Sequence, residues 1–118
     1  ADIVIFPEQD KKYNHIVYDF QEGFIDIAKL YHKKCGKEIC FVPMYIAPAL
    51  KQMHIGKPIR YTAVNEVSYE RKRICKYLMD EITDIAVNLP EHTVVPYRNI
   101  PKKEYPSNKE SKNEKACC

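Results

Sequence analysis

At 118 residues the chain has room for one domain with a real core, and not for two. Its 45% hydrophobic and 30% charged residues are an ordinary globular composition; three glycines exclude a Gly-rich phosphate loop, and a net charge of +3 is too small to argue for a nucleic-acid partner. No window approaches the roughly 20 apolar residues of a membrane-spanning helix, and no secretory signal pattern is visible.

In chain order, residues 2–6 read as a buried strand, β-branched and stopped by Pro7. Residues 7–19 have no periodicity and read as a loop. From Phe20 the pattern turns helical: Phe24, Ile27, Ala28, Tyr31 and Cys35 recur at three- and four-residue steps, and Gly36 is placed to end the helix. Residues 39–46 are nearly all apolar, which predicts a strand buried on both faces. Pro43 lacks an N–H and belongs at an edge or bulge. Strand, helix and strand together predict a right-handed βαβ unit in a mixed, mostly parallel sheet with packed helices.

Residues 47–52 read as a loop or one helical turn, and Met53 to Ile59 as a strand, a turn and a short extended piece. The longest predicted helix spans Ser68 to Leu89. Ile74, Cys75, Leu78, Met79, Ile82, Ile85, Ala86 and Leu89 form its core stripe, and Pro90 ends it. Its opposite face mixes Arg71, Lys72 and Lys76 with Asp80, Glu81 and Asp84, which argues against a helix lying on a membrane. Residues 101–118 hold five Lys and three Glu and predict a disordered charged tail. Residues 1–100 are nearly neutral.

The cysteines are Cys35, Cys40, Cys75, Cys117 and Cys118, an odd count without zinc spacing. The first three fall at positions expected to be buried, as small apolar fillers. The terminal Cys-Cys is either a lipidation or redox site or an incidental feature of a free end.

Phe6-Pro7-Glu8 ends the first apolar run, Phe20 to Gly23 opens the first helix, Val42-Pro43 sits inside the second run, and Gly56-Lys57-Pro58-Ile59 follows. That order resembles the C-terminal half of the glycerophospholipid acyltransferases, the 1-acyl-sn-glycerol-3-phosphate acyltransferase family. The resemblance covers roughly residues 2–90. The family's third block reads Phe-Pro-Glu-Gly-Thr-Arg and its fourth reads Val-Pro-Val. Here Gln9 stands for Gly, Asp10 for Thr and Lys11 for Arg, with Lys12 next. Lys11 keeps the charge without the planar fork of Arg.

The resemblance implies an α/β fold, and acyl transfer from acyl-CoA or acyl carrier protein to a lysophosphatidic-acid-like acceptor. It implies no cofactor, and work at the periphery of a membrane from the cytoplasmic side. By position, Glu8, Lys11 and Lys12 would contact the acceptor and Pro43 would shape the cleft. Residues 1–100 are then the C-terminal part of an acyltransferase domain. The family's base is a His with an Asp five positions on. Five positions after His15, His32, His54 and His92 stand Phe20, Lys37, Ile59 and Tyr97. The catalytic block is thus expected upstream of Ala1, and the chain alone is expected to be inactive. His15 and Asp19, four apart, form a pair in the wrong place for that block. The other histidines read as surface or helix-end residues. The alternative is a non-catalytic α/β module that binds a partner or an anionic membrane surface through Lys11, Lys12 and the basic tail.

Overall fold

The computed structural model describes residues 2–109. Its spine is one long helix, and every other element packs on it or on its neighbours. The elements are β1 (Glu8–Tyr13), β2 (Tyr18–Phe20), α1 (Asp26–Cys35), β3 (Cys40–Phe41), β4 (Met44–Ala47), β5 (Gln52–Ile55), β6 (Ile59–Arg60) and α2 (Val67–Val87). Short 3-10 turns stand at Glu22–Ile25, Pro48–Leu50 and Lys102–Glu104.

The apolar stripe of α2 forms as its spacing predicts. Ile74, Cys75, Leu78, Ile82 and Ala86 are buried, with Met79, Ile85 and Leu89 partly so. They join Phe20, Ile25, Ala28, Tyr45, Ala47, Tyr61 and Val94 in one core. Each large aliphatic side chain buried to this degree contributes about 2 kcal/mol. Helix α1 ends at Gly36, whose φ of 71° is the left-handed geometry of a C-terminal cap, and whose N–H donates to the His32 carbonyl at 2.7 Å. Its buried face is narrower than expected: Ala28 is buried while Ile27 and Tyr31 are exposed. Arg71 joins α2 to α1 through two parallel bonds to the Asp26 carboxylate, at 2.9 and 2.8 Å.

The expected mostly parallel sheet is not formed. Among the described residues the strands make three antiparallel pairs, β1–β2, β3–β6 and β4–β5. The βαβ unit fails at both ends. Residues 2–6 form no strand, and Ile3, Val4 and Phe6 are largely exposed. An apolar run becomes a strand only when another strand takes up its N–H and C=O groups, and none of the described strands pairs with it. The second run is cut by its proline into β3 and β4.

That cut has a definite geometry. Cys40 faces Arg60, Phe41 faces Ile59, and Met44 faces Ile55. Val42 and Pro43 are therefore opposed by Gly56, Lys57 and Pro58, an extra residue on the return strand. Residues 39–61 are one long antiparallel arm with a bulge. Pro43 is fully buried there, and its carbonyl accepts the Gly56 N–H at 2.9 Å. The Tyr61 N–H donates to the Ile39 carbonyl at 2.9 Å and closes the arm. The Tyr77 hydroxyl of α2 donates to the Lys57 carbonyl at 2.9 Å and anchors the bulge.

Residues 7–19, read as a loop, contain the β1–β2 hairpin instead. Asn14 makes its turn: the side-chain oxygen accepts the N–H groups of Ile16 and Val17, both at 2.9 Å, and His15 adopts φ 77°. Tyr13 and Tyr18 stack across it with ring centroids 4.3 Å apart.

The expectation of disorder from residue 101 is also corrected over 101–109. Thr93 bridges Ser107, and Asn108 is fully buried. Residues 110–118, with Cys117 and Cys118, lie outside the described residues. Cys75 is buried as expected, whereas Cys35 and Cys40 are exposed.

Candidate functional site

The hairpin β1–β2 lies beside α2, and between them an open cleft of about 760 Å³ remains. Gln9 and Lys11 reach it from β1, Asp19 from β2, and Lys72, Lys76 and Asp80 from α2. The three α2 residues share one side of the helix because they stand four apart. Lys76 is committed to Asp80 at 2.7 Å. Lys11 and Lys72 make no ion pair among the described residues, and the acids Asp19 and Glu22 line the same cleft. Cys75 lies at the floor. Burial pushes its thiol up to about 12, with a smaller push from the Glu22 charge, so the sulfur stays protonated and non-nucleophilic at neutral pH.

The residues singled out in the sequence divide. Lys11 and Asp19 line this cleft. Glu8 does not: its carboxylate accepts the Tyr18 N–H at 2.9 Å and so braces the hairpin that carries Lys11. Burial raises the Glu8 pKa, partly offset by that bond. Lys12, next along the strand, is exposed and outside the cleft lining. Pro43 is in the arm bulge against Gly56 and Glu81, not in the cleft. His15 and Asp19 do not share a site: the His15 Nε2 lies 3.2 Å from the Asn108 carbonyl, while Asp19 lines the cleft, whose lining does not include His15.

Two groups escaped the sequence reading. The sequence marks Lys72 and Lys76 only as part of a polar face, and their four-residue spacing is the available signal. His92, expected at the surface or at a helix end, is buried. Its Nδ1 bonds the Pro90 carbonyl at 2.8 Å, which leaves Nε2 to accept the Tyr45 hydroxyl at 2.7 Å. Burial raises the Tyr45 pKa to about 12. The Asn108 side chain completes this network: Oδ1 accepts the His92 N–H at 2.9 Å, and Nδ2 donates to the Ala86 carbonyl at 2.6 Å. No local pattern announces such a contact.

A second cleft of about 610 Å³ is lined by Lys29, His32 and Lys33 of α1 and by Asn65 to Ser68, where the chain enters α2. No group of His, Cys, Asp or Glu among the described residues could hold a metal ion. No helix among them is long and apolar enough to cross a membrane. Compared with protein-family models, curated proteins and solved structures, the chain matches none.

Proposed function

We propose that this chain supplies the acceptor-binding part of an acyl-transfer domain. Lys11 and Lys72 hold the phosphate of a lysophosphatidic-acid-like acceptor in the cleft between β1–β2 and α2. The acyl group comes from acyl-CoA or acyl carrier protein. The general base is supplied by polypeptide outside these residues, since no His here has an Asp five positions on. The single observation that carries the reading is Lys11: the residue at the position of the family's block-three arginine lines an open cleft whose lining includes a second cation without an ion pair among the described residues. A phosphate dianion is held by such a pair as point charges. The order of Phe6-Pro7-Glu8, Gly23, Val42-Pro43 and Gly56-Lys57-Pro58 supports it further. Two of these segments are also held by hydrogen bonds to distant partners, Pro7 O to Gln21 N–H at 2.8 Å and Pro43 O to Gly56 N–H at 2.9 Å. In this reading Glu8 is a positioning residue, because it holds the hairpin rather than the ligand.

The test is equilibrium binding of a short-chain lysophosphatidate, which needs no base. Lys11→Met should weaken it roughly tenfold, the loss of one charge-assisted contact, and Lys72→Met should do the same. Unchanged binding in both variants would sink the proposal.

A further inference from the structure

The pairing of β4 with β5 sorts their side chains onto two faces. Tyr45 faces His54 and Ala47 faces Gln52 on the core side, where Tyr45 and Ala47 are buried. Met44 faces Ile55 and Ile46 faces Met53 on the outer side. A hairpin with one packed face ordinarily turns polar residues outward. Here the outer face is apolar throughout, and Ile46, Met53 and Ile55 are 51, 57 and 63% exposed.

The arm that carries that face has charges of one sign. Between Glu38 and Glu66 the chain has no acidic residue; it has Lys51, Lys57 and Arg60. Lys51 stands at the hairpin tip in left-handed geometry, φ 55°, and Lys57 directly follows β5 and Gly56. Both are exposed. One acid of another element, Glu81 of α2, packs against Gly56.

We infer that the outer face of the β4–β5 hairpin, with Lys51 and Lys57, docks on an anionic lipid bilayer. Ile46, Met53 and Ile55 enter the boundary between head groups and acyl chains, while the lysine stems run alongside them and keep their ammonium groups at the lipid phosphates. An exposed apolar face on an arm whose own charged side chains are all cations is complementary to such a surface on both counts. The polar face of α2 alternates in sign and is not. The acyl-transfer reading already implies a membrane periphery, and which face meets it is what this inference adds. It involves no cleft residue, so vesicle binding and acceptor binding fail or succeed separately.

The experiment is sedimentation of the protein with vesicles of phosphatidylcholine and phosphatidylglycerol, against vesicles of phosphatidylcholine alone. Binding is expected only to the anionic vesicles, falling as salt is raised. Each lysine near such a surface is worth roughly fivefold, so Lys51→Glu with Lys57→Glu should lose at least about 25-fold. Ile46→Ser with Ile55→Ser should also abolish sedimentation while leaving the far-ultraviolet circular dichroism unchanged. The chain has no tryptophan, so Ile55→Trp gives a clean reporter. Its emission should shift to the blue on adding anionic vesicles. No shift, or equal binding to neutral vesicles, overturns the inference. So does self-association that Ile46→Ser removes, which would assign the face to a second copy of the chain.

Discussion

Glu70 and Arg73, one turn apart on α2, meet through two bonds, Nη2 to Oε1 at 2.6 Å and Nε to Oε2 at 2.7 Å, and the Glu70 side chain has no exposure to solvent. The same carboxylate accepts the Thr62 N–H at 2.6 Å and the Asn65 side-chain amide at 3.0 Å. Arg73 passes the constraint on by donating to the Arg60 carbonyl at 2.7 Å. The pair thus fixes the end of the long arm to the start of α2.

A carboxylate so held should make stability depend on acid. The Arg73 guanidinium, with the Thr62 and Asn65 bonds, lowers the Glu70 pKa from 4.5 to about 2 against the cost of burial. A depressed acid contributes stability above its unfolded pKa and loses it as pH falls through the folded one. Glu70→Gln should cost about 3 kcal/mol at neutral pH. Urea unfolding of both proteins should show that gap closing between pH 4.5 and about 2. A gap independent of pH would mean the charge is not what Arg73 holds.

Asn108 ties the last described segment to the end of α2. Asn108→Ala removes a buried residue bonded to His92 and Ala86, and should cost about 2 kcal/mol. Asn108→Asp is more informative. It turns a carboxylate oxygen towards the Ala86 carbonyl, so the folded state should favour the protonated acid and raise its pKa. The variant should lose stability as pH rises above about 4, the unfolded value. Thermal unfolding at acid and neutral pH measures this. Equal penalties at both would show that the amide is not needed as a donor.

The cysteines should separate by reactivity. Cys35 and Cys40 are exposed, while Cys75 is buried with its thiol raised from 9.0 to about 12. Three pH units remove roughly a thousandfold of its thiolate. In timed iodoacetamide labelling read by peptide mass, Cys35 and Cys40 should modify in the native protein and Cys75 only in denaturant.

Two glycines should respond for different reasons. Gly36 has open space around a Cβ but a φ of 71°, so Gly36→Ala should cost about 1 kcal/mol by backbone strain, and Gly36→Asn less. At Gly56 a Cβ would stand 2.9 Å from the Glu81 Cγ and 3.0 Å from the Pro43 Cγ. Gly56→Ala should cost about 2 kcal/mol by crowding the buried Pro43 and the Glu81 stem. Adding Glu81→Ala should recover part of the second loss and none of the first, as urea titration would show.

The two helices, the glycine that ends the first, and the break at Pro43 were determined by the sequence alone. Each depends on residues within a few positions: apolar side chains at helical steps, a left-handed cap, a missing N–H. Only the tertiary structure decided the antiparallel direction of the strand pairing, the exposure of Ile3, Val4 and Phe6, the burial of His92 and Asn108, and which lysines share a cleft. The polar strand Glu8–Tyr13 has no apolar alternation to announce it; Asn14 and the partner Tyr18–Phe20 make it a strand. Val42-Pro43 meets Gly56-Lys57-Pro58, and His92 meets Asn108, only when segments far apart in the chain satisfy one another's donors and acceptors. A local period carries the free energy of one face of one element; the partner for that face, and for every unpaired N–H and C=O, is chosen by the whole fold.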